Sequence, residues 1–154
     1  MWKKEGKMNN KSIIDSLKVL LIDSYALYFK TQNYHWNVEG SEFTSLHLLF
    51  EEQYQDLAES IDTTAELIRG LGQKVPALFT LNSPYPKTSI NPANEMSSAN
   101  QMITELINDY IIIEKILKDV LIEAEKVDDQ VISDFIVERL KISRKSLWKL
   151  RSSL

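Results

Sequence analysis

The sequence contains no cysteine, which excludes disulfides, thiol nucleophiles and metal sites built on thiolates. A metal bound here must rest on imidazole and carboxylate. Only four glycines and four prolines occur among 154 residues, too few for a sheet with many tight turns and in keeping with long helices. Long hydrophobic runs are also missing: Tyr110–Ile113 is cut by Glu114 and Lys115, well short of the roughly 18 apolar residues that span a bilayer. Residues 1–11 are polar and lysine-bearing and lack the apolar stretch of a signal peptide, so a soluble, cytoplasmic protein is expected. With 44% hydrophobic residues the chain can bury one substantial core. We expect a flexible polar tail over residues 1–11 and a single domain over 12–154.

Cations are missing from one long stretch. Between Thr31 and Ile68 there is no lysine or arginine, whereas Glu39, Glu42, Glu51, Glu52, Asp56, Glu59, Asp62 and Glu66 are acidic. The end of the chain is the reverse, with Arg139, Lys141, Arg144, Lys145, Lys149 and Arg151 close together. Part of that excess complements a helix C-terminus.

Apolar or small residues recur with helical spacing in four segments. The first stripe is Ile14, Leu17, Leu21, Ser24, Tyr28 and Thr31, with His35 at its next step, on a helix from about Asn10 to Trp36. Gly40 and Ser41 are expected to close it and cap the next helix. The second stripe runs through Phe43, Leu46, Phe50, Tyr54, Leu57, Ile61, Thr64, Ile68 and Leu71 to Gly72. The third passes from Ala99 through Ile103, Leu106, Tyr110, Ile113, Leu117 and Val120 to Ala124, after Pro92 and Asn94. The fourth runs from about Asp129 to Leu150, through Ile132, Ile136, Leu140, Ser143 and Leu147. Residues 73–91, holding three of the four prolines, are long enough to cross the end of a bundle. The expected fold is therefore all-α, a ferritin-like four-helix bundle with a long crossover between helices two and three.

Both histidines of the chain fall in the cation-free stretch. His35 ends the first helix and His47 lies in the second turn of the next, so a short turn brings the imidazoles together. On helix two, His47, Glu51, Asp62 and Glu66 lie within an arc of about 100° at the flank of the core stripe. Imidazoles and carboxylates are ligands suited to non-haem iron. One carboxylate pair at this spacing is ordinarily a solvated face, and a single histidine in a stripe is ordinarily core. Two histidines and three acids without a cation nearby point instead to metal. Asp62 lies fifteen residues beyond His47, a rise of roughly 22 Å, so no single ion touches both within one chain. If helix two packs antiparallel on its own copy about a two-fold axis, His47 and Glu51 of one chain face Asp62 and Glu66 of the other.

The run Tyr34-His35-Trp36-Asn37-Val38-Glu39-Gly40, then Phe43 and Leu46-His47, resembles the signature of the Dps family, the miniferritins. The segment Asp62-Thr63-Thr64-Ala65-Glu66-Leu67-Ile68-Arg69-Gly70-Leu71-Gly72 continues the resemblance, as does Lys145-Ser146-Leu147-Trp148. The resemblance implies a dodecamer, a tetrahedral shell with two-iron ferroxidase sites at its two-fold interfaces. His35, His47 and Glu51 would come from one subunit and Asp62 and Glu66 from its mate. Many relatives carry Asp at position 51, and the longer Glu51 leaves its contact with iron open. The implied activity is oxidation of Fe²⁺, preferably by H₂O₂, with storage of ferric mineral and protection of DNA from oxidative damage. Trp36, beside a ligand, would trap stray oxidising equivalents, or else close the core at a helix end; Trp148 is expected to pack.

Two further features admit two readings each. Glu125, Asp129 and Asp134, with Asp128 between them, bracket the start of helix four, where relatives line three-fold pores with acids that guide Fe²⁺ inward. Acids at a helix N-terminus are also ordinary dipole partners. Lys3, Lys4, Lys7 and Lys11 resemble tails with which some relatives bind DNA through phosphates, multiplied over the copies of a shell and allowing association with a bacterial nucleoid. A solubilising terminus would look the same. A DNA-compacting shell and a metal-free structural protein are the competing functions.

Overall fold

The computed structural model describes residues 10–77 and 88–154, and four helices account for most of them: α1 Lys11–Asn37, α2 Phe43–Gly70, α3 Ala99–Lys126 and α4 Gln130–Arg151. No strand occurs among the described residues. The all-α bundle expected from periodicity is the one observed, with boundaries within two residues of the sequence estimate. Lys3, Lys4 and Lys7 lie outside the described residues.

Helix starts are fixed by different means. α3 opens on a capping box not foreseen from the sequence: Ser98 Oγ accepts from the Gln101 N–H at 3.2 Å, and the Gln101 side chain accepts from the Ser98 N–H at 2.8 Å. At α4 the Asp129 carboxylate accepts from the Ile132 N–H at 3.0 Å. Each such cap contributes about 1 kcal/mol. At α2 the expectation fails, because Ser41 does not cap the helix. The chain reverses at Gly40, in the left-handed region at φ +113°, and the Gly40 carbonyl accepts from the Phe43 N–H at 3.1 Å. That turn leaves Glu42 at the N-cap position, where its side chain makes no capping bond. α2 ends at Gly70, and Gly72, also left-handed at φ +86°, forms the closing turn beyond it.

Direction follows from which residues meet. Lys30 of α1 pairs with Asp109 and Glu105 of α3, and Tyr34, one turn later, reaches Glu105. Later residues of α1 therefore meet earlier residues of α3, and the two helices are antiparallel. Likewise Asp56 meets Arg139 and Glu52 meets Lys149, so α2 and α4 are antiparallel. α1 also packs on α2 and α3 on α4. It follows that α2 and α3 run the same way across a diagonal, and their connection must return along the bundle. Its described residues from Thr88 to Asn94 lie beside α1. Asp23 accepts from the Thr88 hydroxyl and from the Ser89 N–H at 2.8 Å, Ile90 is buried, and the Asn94 N–H reaches the Tyr34 hydroxyl at 3.3 Å.

The buried faces are wider than single stripes. Ile13, Leu20, Leu27 and Tyr34 are buried on α1, while Ile14 and Tyr28 are only half-buried. Because α1 packs on both α2 and α3, it must bury an arc facing each. On α2, Phe43 is exposed, and Gln53 and Ser60 are buried.

The core also contains charge. Lys30, 3% exposed, lies 2.7 Å from Asp109 and 3.3 Å from Glu105. Burial raises the Asp109 carboxyl above its ordinary range, outweighing Lys30. Burial also pushes Glu105 upward, but the Tyr34 hydroxyl and Lys30 together hold it below its ordinary value. Tyr34 itself is pushed up to about 12, by burial first and by the Glu105 carboxylate second.

Candidate metal centre

The turn at Gly40 folds the end of α1 against the start of α2 and sets His35 and His47 face to face. Their rings stack with centroids 3.8 Å apart and planes 16° from parallel. His35 Nδ1 lies 2.7 Å from the His47 carbonyl oxygen, and His47 Nδ1 lies 2.7 Å from the His35 carbonyl oxygen. A carbonyl only accepts, so each Nδ1 must carry a proton and donate it. In the neutral imidazole that choice leaves the lone pair on Nε2, and neither Nε2 has a hydrogen-bond partner among the described residues. An Nδ1–H bond to a backbone carbonyl is the usual support of a metal-ligating histidine, because it fixes both tautomer and ring orientation. Phe43 covers the His47 ring at 5.1 Å, and Tyr54 meets the His35 ring edge-on at 5.1 Å. His35 is buried and His47 half-buried.

Two acids of the cation-free stretch meet cations from α4. Arg139 holds Asp56 with two bonds of 2.8 Å, and Lys149 reaches Glu52 at 2.5 Å. The basic end of the chain thus neutralises Asp56 and Glu52 on the side of α2 that faces α4. Glu51, Asp62 and Glu66 make no ion pair or hydrogen bond with any described residue. Glu51 is half-buried, and Asp62 and Glu66 are exposed. Asp62 stands at the rim of a surface cavity of about 350 Å³, with Leu21, Tyr25, Ile61, Ala65 and Pro76 among its walls. Among the described residues no three histidine or acidic side chains of one chain converge on a common point. The candidate donors therefore lie in two groups near opposite ends of α2, the histidines with Glu51 at one and Asp62 with Glu66 at the other.

Trp36 is 62% exposed and makes no ring contact with either histidine, so within one chain it does not close the core. Trp148, expected to pack, is likewise exposed. The aromatic ring in contact with the His35 imidazole is Tyr54, which helical periodicity assigned simply to the core stripe. Its signal was its position, one turn beyond Phe50 and on the side of the stripe nearest the histidines. Glu125 and Asp134 are exposed at the α3–α4 turn, the end of the bundle opposite the histidines, and Asp129 between them is committed to capping α4. Lys11, the first residue of α1, is exposed.

Residues 14–154 match the model of the ferritin-like domain family. The chain is 33% identical over 139 residues to the DNA protection during starvation protein of Helicobacter pylori, covering 90% of this chain and 95% of that one. The crystal structure of a Dps protein from Bacillus brevis superposes with a TM-score of 0.85 at 29% identity, over 99% of this chain and 98% of the other. The Vibrio cholerae Dps structure, described as a member of a superfamily of ferritin-like diiron-carboxylate proteins, gives a TM-score of 0.82 at 25% identity, over 94% of this chain and 90% of that one. With the fold, the paired histidines and these likenesses in agreement, the chain belongs to the Dps family of ferritin-like proteins.

Proposed function

We infer that this protein oxidises Fe²⁺ with hydrogen peroxide at two-iron sites shared between subunits, and stores the ferric product as mineral inside a shell of twelve chains. The observation that carries this is the reciprocal bonding of His35 and His47, which leaves two Nε2 lone pairs without a protein partner. Two further features support it. Glu51, Asp62 and Glu66, like Glu59, have no cation partner among the described residues, and Asp62 and Glu66 are too far along α2 to join the histidines of their own chain. An antiparallel partner about a two-fold axis brings the two half-sites together. The Vibrio cholerae relative's description as a diiron-carboxylate protein names the same ligand chemistry.

Iron is substrate and cargo here. Two Fe²⁺ at one site each give up one electron, and peroxide takes both with two protons to become two waters. Hydroxyl radical, which forms when peroxide receives one electron alone, is avoided. Carboxylates favour the more highly charged ferric product. Protection of DNA, the property in the name of the Helicobacter pylori relative, follows from consuming iron and peroxide together and needs no contact with DNA.

The test is anaerobic. The assembled protein is loaded with Fe²⁺, peroxide is added, and ferric absorbance and the iron-to-peroxide ratio are followed beside a His35→Ala, His47→Ala variant of confirmed assembly. Fast oxidation near a ratio of two, lost in the variant, is expected. A rate equal to that of free iron in buffer overturns the inference.

A further inference from the structure

The ring contacts beside the histidines do not stop at Tyr54. Tyr54 meets Tyr28 edge-to-face at 5.9 Å, Tyr28 meets Phe29 at 5.4 Å, and Phe29 stacks on Tyr25 at 6.0 Å. With the His35–Tyr54 contact at 5.1 Å, an unbroken series of rings runs from the imidazole pair along the groove between α1 and α2. It reaches Tyr25, in the wall of the cavity that Asp62 borders. These are ordinary aromatic packing distances, and rings in contact leave only short through-space steps for an electron. Trp36, though next to His35 in sequence, makes no such contact among the described residues.

We propose that Tyr54, backed by Tyr28, is an electron donor to the iron site that completes the reduction of peroxide when the site holds a single Fe²⁺. This rests on the ferroxidase function inferred above. A half-filled site has one metal electron to give, whereas clean cleavage of the O–O bond needs two. In the proposed step Fe²⁺ gives one electron. Tyr54 gives the second, together with its phenolic proton. One further proton comes from solvent, the O–O bond breaks, and the products are two waters, Fe³⁺ and a neutral tyrosyl radical. Tyr28 then returns an electron and a proton to Tyr54 and carries the radical away from the metal, where a later Fe²⁺ reduces it. Tyr54 touches a ligand and not the iron, so it acts through His35.

The experiment uses the assembled protein with Fe²⁺ limited to one per subunit, mixed anaerobically with peroxide, frozen within the first turnover and examined by electron paramagnetic resonance. Wild type is expected to show a tyrosyl signal. Tyr54→Phe, which keeps the ring and its packing, is expected to lose it. Tyr28→Phe is expected to keep a radical confined to Tyr54, with a changed hyperfine pattern, and Trp36→Phe to keep the wild-type signal. Absence of a tyrosyl radical in wild type, its persistence at full yield in Tyr54→Phe, or its loss in Trp36→Phe overturns the proposal. Parallel ferric absorbance at full iron loading separates the two inferences. Normal two-iron oxidation without a radical defeats the relay alone, whereas no accelerated oxidation defeats the ferroxidase function and the relay with it.

Discussion

The proposed sharing of each iron site between two chains makes a quantitative prediction about mixed assemblies. One variant carries His35→Ala and His47→Ala; the other carries Asp62→Asn and Glu66→Gln. Assembled alone, each lacks half of every site, and both are expected to oxidise iron no faster than free iron in buffer. Assembled together from equal amounts, about half of the two-fold dimers contain one chain of each kind. In such a dimer one site lacks both histidines and both acids, while the other draws intact histidines from one chain and intact acids from its mate. About a quarter of all sites are then complete, so about a quarter of the wild-type rate per chain should return. The distance fixes this outcome: fifteen residues of α-helix separate His47 from Asp62, roughly 22 Å, and no rotamer change spans that gap.

The assay is peroxide-driven ferric absorbance on assemblies purified by size, with tags on each variant to verify mixing. Removing either histidine also deletes a hydrogen bond to a backbone carbonyl, worth about 1 kcal/mol, so local loosening is an obvious objection. The mixed dimer answers it, because a chain that had lost its fold would supply no acids to its partner. Recovery near a quarter supports a shared site. Mixed assemblies as inactive as their parents would refute it, and so would appreciable activity in either variant alone.

Further outcomes follow from other parts of the structure. Lys30→Met strands Glu105 and Asp109 beside the core without a cation, and should cost about 3–5 kcal/mol in denaturant unfolding at neutral pH and fixed protein concentration; a cost below about 1 kcal/mol would show that the triad contributes no more than a surface pair. Glu105 is held below its ordinary value in the fold, so its contribution is present above the unfolded carboxylate value and lost as pH falls through the folded one. Glu105→Gln should therefore flatten the rise of stability across the acid range, and an unchanged slope would count against it. Glu125→Gln, Asp129→Asn and Asp134→Asn together remove three acidic charges around the turn, while the amide that replaces the Asp129 carboxylate can still accept the capping bond of α4. If these acids guide iron, stopped-flow uptake slows and loses its dependence on salt while the melting temperature holds; equal rates would leave them as dipole partners. Deleting residues 1–11 should abolish any gel retardation of DNA at low salt, and retardation that survives would place DNA binding elsewhere.

How much of this was legible in the sequence depends on how local the cause is. Helix spans came through because each is a long periodic segment, and glycine or proline lies close to several of their ends. The breadth of the buried faces did not, because Ile13, Leu20 and Leu27 become core only once α1 has a neighbour on two sides. Lys30 illustrates the same limit: nothing near it in sequence announces that a lysine will be buried, since its partners Glu105 and Asp109 arrive from α3 through the fold. The positions of the candidate donors were legible for the opposite reason, since both histidines and three acids lie on two helices joined by one short turn, and along α2 spacing alone fixes their separation. Periodicity gave no way to rank Tyr54 above Trp36, because adjacency to His35 in the chain favours the tryptophan. Contact across the α1–α2 groove favours the tyrosine. Neighbours along a helix are about 100° apart on its surface and need not meet, whereas residues facing each other from two packed helices must. For electron transfer the facing residue is the one that counts, and the tyrosine is therefore the first position at which to look for a radical.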